Sequence, residues 1–176
     1  MSFVKPKSYR ILIVDDDQSI TQLLNTFLSL AGHLCKVAYN GIEAMEKLQA
    51  DHFDAVITDV VMPEMDGITF SREALKIFPD IPIMIMTGYS DEQLYEKSVK
   101  AGAAEFITKP LSVQELSARF LKMMHNHEIL CQIKSNQNEI EKISSEMIRG
   151  IQKESRDRID TLTCEIEKLK SQRINS

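Results

Sequence analysis

The chain has 176 residues, 43% of them hydrophobic, with three cysteines and a formal net charge of -5. That length accommodates one α/β domain of ordinary size plus an extension, with enough core to fold without a disulfide or metal staple. Cys35, Cys131 and Cys164 are odd in number and far apart, which argues against a disulfide framework or a zinc site and fits a reducing, cytoplasmic setting. Residues 1–10 lack the apolar run of a signal peptide, and no stretch reaches the ~20 apolar residues of a membrane span. Residues 1–111 carry 10 Lys+Arg against 16 Asp+Glu, and residues 112–176 carry 11 against 10. Neither part has a basic face, which disfavours nucleic acid as a partner.

In chain order, Arg10–Val14 is a short β-branched apolar run that ends at three aspartates, the pattern of a buried parallel strand. Ser19–Leu30 has helical spacing at Ile20, Leu23, Leu24, Phe27, Leu28 and Leu30, and Gly32 stops it. Leu34–Ala38 reads as a second strand, and Gly41–Ala50 as a helix with Ile42, Met45 and Leu48 on one face. A third strand, Ala55–Thr58, leads to Asp59; the helix Gly67–Phe78 closes at Pro79. Pro82–Met86 is a fourth strand ending at Thr87, and Asp91–Ala101 a helix with Gly102 as its left-handed stop. Glu105–Thr108 is a short fifth strand ending at Lys109-Pro110. A last helix starts at Ser112, with Ser112 as N-cap and Glu115 in the capping-box position.

Strictly alternating strands and helices imply a flavodoxin-like α/β fold, a five-stranded parallel sheet of order 2-1-3-4-5 with right-handed crossovers. Ligands of such sheets bind at the carboxyl ends of the strands, near the switch point between strands 1 and 3. Asp15 and Asp16 end strand 1, Asp59 ends strand 3, Thr87 ends strand 4 and Lys109 ends strand 5. Three crowded carboxylates repel one another unless a cation intervenes. Hard oxygen donors of this kind suit Mg²⁺, which shares its shell with water and phosphate. A divalent cation, a lysine and a hydroxyl around one carboxylate favour charge build-up on a transferring phosphoryl group, and the carboxylate itself can be the nucleophile.

The strings I-L-I-V-D-D-D, I-T-D-V-V-M-P-E-M-D-G, M-T-G-Y-S and F-I-T-K-P-L resemble the receiver domains of two-component response regulators, over roughly residues 8–124. The resemblance implies that Asp59 accepts a phosphoryl group from a sensor histidine kinase or phosphotransfer protein. It implies a signalling protein rather than an enzyme, catalysing only its own phosphorylation and dephosphorylation. Asp16 would bind Mg²⁺ directly, Asp15 through water or as a second acid, and the backbone carbonyl of Val61 would be a further ligand. Thr87 would bond the phosphoryl oxygen and Lys109 would pair with it, placed by a cis Lys109-Pro110 peptide. Phe106 matches the switch aromatic, which turns inward when Thr87 moves. Phe106 has no hydroxyl, so any contact needing one is missing. Val61 offers no polar group to orient an attacking water, which implies slow loss of phosphate.

Each residue also has a plainer reading. Asp15–Asp17 alone would serve as an N-capping cluster, Thr87 as a turn residue and Lys109 as a solvated charge; their convergence with Asp59 favours a site. Asp17 itself reads as the cap of the first helix, Asp66-Gly67 as turn chemistry, and His125 and His127 as surface residues, since helix positions two apart do not share a face. Asp15-Asp16-Asp17-Gln18-Ser19 also resembles the start of aspartyl-nucleophile phosphatases. Those enzymes need a later acidic pair and a cap domain for which this chain has neither a strand nor room.

Residues 112–176 contain Gly150 as their one glycine and no proline. Ile129, Ile133, Ile140, Ile143 and Met147 follow one a/d seam, on which Asn126 and Asn136 also fall. Ile159, Leu162, Ile166 and Leu169 follow a second, and the phase slips over residues 150–158. The slip implies a helix with a stutter or one that turns back. If continuous, the helix would be a rod of ~90 Å. The expected organisation is a receiver over residues 1–124 and a helical coiled-coil extension over 125–176, with a homodimer through the extension and output by contact with a downstream protein. The competing function is an adaptor that signals through the coiled coil without phosphorylation.

Overall fold

The computed structural model describes residues 7–88, 92–110 and 112–174. Five parallel strands, β1 (Arg10–Val14), β2 (Leu34–Ala38), β3 (Ala55–Asp59), β4 (Ile83–Thr87) and β5 (Glu105–Thr108), form one sheet of order β2-β1-β3-β4-β5. Helices α1 (Gln18–Leu30), α2 (Gly41–Ala50), α3 (Gly67–Ile77), α4 (Glu92–Lys100) and α5 (Val113–Ile174) alternate with them. The fold class and strand order expected from the sequence are those observed. Asp91, expected to begin the fourth helix, lies outside the described residues.

β1, β3 and β4 are buried on both faces, which is why they read as unbroken apolar runs. Alternate side chains feed two core layers. Leu12, Val14, Val56, Ile83 and Ile85 face α2 and α3, where Ala44, Leu48, Phe70 and Ala74 meet them. Ile11, Ile13, Ile57, Met84 and Met86 face α1 and the start of α5, where Leu24, Leu28, Phe120, Met123 and Met124 meet them. In that second layer His33 is wedged between Tyr9 and Phe120, 5.5 Å from each ring, and its Nδ1 accepts from the Tyr9 N–H.

The element ends have local causes. Asp17 caps α1, its side chain accepting from the Ser19 N–H, the role read from the sequence. Asp66 caps α3 through the Thr69 N–H, and Ser112 accepts from the Glu115 N–H at the start of α5. α3 ends at Ile77 rather than Phe78, because Phe78 precedes Pro79 and leaves the helical region at φ -121 and ψ 72. β4 begins at Ile83 rather than Pro82, which supplies only its carbonyl, to the Val56 N–H. Some expected apolar faces are rotated. α2 buries Gly41, Ala44 and Leu48 and leaves Ile42 exposed, because Gly41 lets the helix close on Met65, 2.7 Å from where a β-carbon would sit. Leu23 and Leu30 of α1 are likewise exposed.

The chain divides into two compact units, residues 1–127 and 128–176. α5 is helical through Gly150, so the apolar positions on either side of the slip belong to one helix and not to a hairpin. No described helix is long and apolar enough to cross a membrane.

Candidate functional site

The carboxyl ends of the strands bring together residues far apart in sequence. β1 pairs with β3 up to Val14 and Thr58, so Asp15 and Asp59 leave adjacent strands at the same edge. Asp59 pairs with Met86, so Thr87 follows one step beyond, and Thr87 in turn pairs with Thr108, the residue before Lys109. One carboxylate oxygen each from Asp15, Asp16 and Asp59 lies within 4.8 Å of the other two. Asp15 and Asp59 are buried and Asp16 is exposed.

Lys109 reaches into this group. Its Nζ donates to Asp15 Oδ2 at 2.9 Å and lies 2.8 Å from Asp59 Oδ1. The contact with Asp59 is a charge pair rather than an aligned hydrogen bond, so Asp59 Oδ1 is buried with no donor directed at it among the described residues. Asp59 Oδ2 accepts from the Val61 N–H at 3.0 Å, and Asp15 Oδ1 from the Asp17 N–H at 2.9 Å. Burial pushes the Asp15 carboxyl above its ordinary pKa, against the opposing pull of Lys109. Burial also works against the Lys109 charge, but the carboxylates of Asp59 and Asp15 outweigh it and hold the ammonium above its usual pKa. Three carboxylates against one ammonium leave a surplus of negative charge, and the buried Oδ1 has an acceptor position to spare. The residues therefore fit a hard divalent cation. Such an ion would sit between Asp15, Asp16 and Asp59.

The structure brings Asp15, Asp16, Asp59 and Lys109 into contact range, and puts Thr87, buried, on the same edge. The Lys109-Pro110 peptide is cis. The side chain of Val61 is exposed, pointing its isopropyl group outward beside the site. Phe106 is half-buried against the α2/α3 core layer, with Tyr95 of α4 edge-on at 5.4 Å. Two supporting features escaped the sequence reading. The Val61 N–H holds Asp59 Oδ2, and a main-chain donor carries no sequence signal. Gly67, read as turn chemistry, is instead the point where α3 meets the end of β3. Its N–H donates to Val60 O at 2.9 Å, and a β-carbon there would overlap the Asp59 carbonyl.

Residues 11–121 match the family model described as the response regulator receiver domain. The chain is 33% identical over 122 residues to the response regulator MprA of Mycobacterium ulcerans, covering 69% of this chain and 53% of that protein. MprA of Mycobacterium bovis is 33% identical over 117 residues, 66% of this chain and 51% of that protein. The chain thus spans about half the length of the curated relatives it matches. Among solved structures, a CheY-like receiver domain protein from Methanospirillum hungatei is 28% identical with a TM-score of 0.67, covering 69% of this chain and 98% of that one. A receiver domain protein from Clostridium thermocellum is 30% identical with a TM-score of 0.64, over 69% of this chain and 98% of that one.

Proposed function

This chain belongs to the response regulator receiver family, a signalling family, and from that premise we propose that Asp59 accepts a phosphoryl group from a histidine kinase or phosphotransfer protein. The observation that carries this reading is the buried Asp59 carboxylate with Lys109 at 2.8 Å and two further acids within 4.8 Å. A carboxylate oxygen of Asp59 forms a bond to phosphorus as the bond from phosphorus to the donor's imidazole nitrogen breaks, and its electron pair returns to the ring. Mg²⁺ held by Asp15, Asp16, Asp59 and the Val61 carbonyl would supply positive charge for the incoming phosphoryl oxygens.

The chain's own groups do the rest. Lys109 is already charged and already held at the site, so it stabilises the added charge without reorganising. The Val61 N–H holds Asp59 Oδ2 and so fixes the orientation of the carboxylate. Thr87, buried at the end of β4, would donate to the phosphoryl group. Movement of β4 toward it would change the packing of Phe106 and Tyr95 on the β5/α4 side. We take residues 1–124 as the receiver and 125–176 as the output segment, which signals by protein contact, including self-association, in a cytoplasmic setting. The test is incubation of the full chain with Mg²⁺ and a small acyl phosphate. One phosphoryl group should appear by mass in the wild type and none in Asp59→Asn; an equal gain in that variant overturns the assignment.

A further inference from the structure

We propose that α5, from Ile129 to Ile166, offers one continuous, mostly apolar seam that pairs with the same helix of a second copy of this chain, parallel and in register. The proposal deepens the self-association reading above and is independent of phosphoryl acceptance.

The first ground is continuity. α5 does not reverse at Gly150, so the phase slip is a local change of spacing within one helix. Met147, Ile151, Ser155 and Ile159 step by four residues and carry the first seam into the second. Ile129, Ile140, Ile151 and Leu162 recur every 11 residues and are all exposed in the single chain. At 3.6 residues per turn, 11 residues overshoot three turns by only ~20°, so these four remain on one side of the helix. The heptad steps drift the opposite way by a similar angle, whereas the three four-residue steps from Met147 to Ile159 advance the stripe by ~120°, which a local right-handed twist of the pair accommodates. Ile151, which belongs to neither heptad seam, is the residue that joins them.

The second ground is complementarity of the seam with itself. Asn136 interrupts the apolar positions, and a polar seam residue is best matched by its own copy across a two-fold axis parallel to the helices. An antiparallel overlap would set Asn136 against aliphatic positions of the other half. Flanking the second seam, Glu165 precedes an inward position and Lys170 follows one. In a parallel in-register pair the row holding Glu165 meets the row holding Lys170 of the other copy, twice by symmetry, giving two opposite-charge contacts. Antiparallel pairing brings each row against its own kind and separates these two residues. The seam therefore specifies an aliphatic helix with the same polar break and the same charge offset, which is a second copy of this chain. Cys131 and Cys164 lie outside the seam, at outward positions of the two registers.

The test uses the full chain with Cys131 and Cys164 replaced by Ser and one cysteine added, Ile133→Cys or Leu162→Cys. Light scattering should give the mass of a dimer. On mild oxidation each variant alone should form a disulfide-linked dimer, while the parent lacking the added cysteine should not. Glu165→Lys should raise the dissociation constant roughly three- to tenfold, and Glu165→Lys combined with Lys170→Glu should restore it. A monomer at high micromolar concentration overturns self-association itself. A dimer that cross-links only when the two cysteine variants are mixed is antiparallel and overturns the geometry alone.

Discussion

A β-carbon on Gly67 would lie 1.8 Å from the carbonyl oxygen of Asp59, and the Gly67 N–H already binds the next carbonyl, that of Val60. The strand that presents Asp59 and the helix that follows it thus touch backbone to backbone. Any side chain at residue 67 would force β3 and α3 apart at Asp59. Gly67→Ala should therefore cost roughly 3 kcal/mol, a fall in melting temperature on the order of 10 °C, and should slow phosphorylation even where the variant remains folded. Thermal melts and mass-detected phosphorylation would check both; an unchanged melt would show that the contact relaxes freely.

Metal binding should appear as stabilisation. Mg²⁺ at about a hundredfold over its dissociation constant adds ~2.7 kcal/mol to a protein that binds it only when folded. Asp16 is exposed, so Asp16→Ala should alter metal-free stability by no more than about 0.5 kcal/mol while removing most of the Mg²⁺-dependent gain. Equal gains in variant and wild type would take Asp16 out of the ligand set.

Lys109 pairs with two carboxylates at 2.9 and 2.8 Å, one of them almost fully buried. Lys109→Met leaves both acids without that charge and should cost about 1–3 kcal/mol at neutral pH without metal. Added Mg²⁺ should then raise the melting temperature more in Lys109→Met than in the wild type, because the cation replaces the lost charge. Phosphorylation should nevertheless be impaired if Lys109 pairs with the phosphoryl oxygens as proposed.

His33 supplies a pH dependence remote from the site. Burial between Tyr9 and Phe120 lowers its pKa below the ordinary 6.5. The unfolded chain therefore takes up a proton before the folded one does. The stabilisation is complete above pH 6.5 and is lost as the pH falls below it toward the depressed value. Chemical denaturation between pH 7.5 and about 5 should show stability declining in the wild type, with that decline reduced in His33→Gln. Parallel profiles in the two proteins would exclude His33 as the source.

Much of the fold was legible because its determinants are short-range. Apolar runs such as Ile11–Val14 and Ile83–Met86 announce buried parallel strands, and the residues that interrupt them mark the strand ends where the site is built. Asp15, Asp59 and Lys109 could be placed on one edge before any coordinates, since parallel connections bring every carboxyl end to the same side. The face of α2 was not legible. Its orientation depends on how closely Gly41 approaches Met65, a contact between segments that periodicity does not register. The Val61 N–H and the Gly67 approach escaped for a related reason, because backbone contacts leave no residue-type signature. In residues 128–174 the pattern left a stutter and a reversal both open. A phase slip records only that the apolar positions shift, and Gly150 is compatible with either a helix interior or a turn.

β4 has two unlike faces. Ile83 and Ile85 point into the α2/α3 layer, which holds Phe70 and Met62, whereas Met84 and Met86 point into the α1/α5 layer, which holds Phe120, Met123 and Met124. A branched aliphatic locks into few rotamers; a thioether on an unbranched stem has several of similar energy and a polarisable sulfur that tolerates altered distances. β4 itself therefore presents rotamer-restricted side chains on one face and adaptable ones on the other. Were Thr87 to shift, rotamer changes at Met84 and Met86 would take up the displacement on the α1/α5 side while Ile83 and Ile85 keep theirs, so the alternation of isoleucine and methionine along β4 sets which of its faces yields.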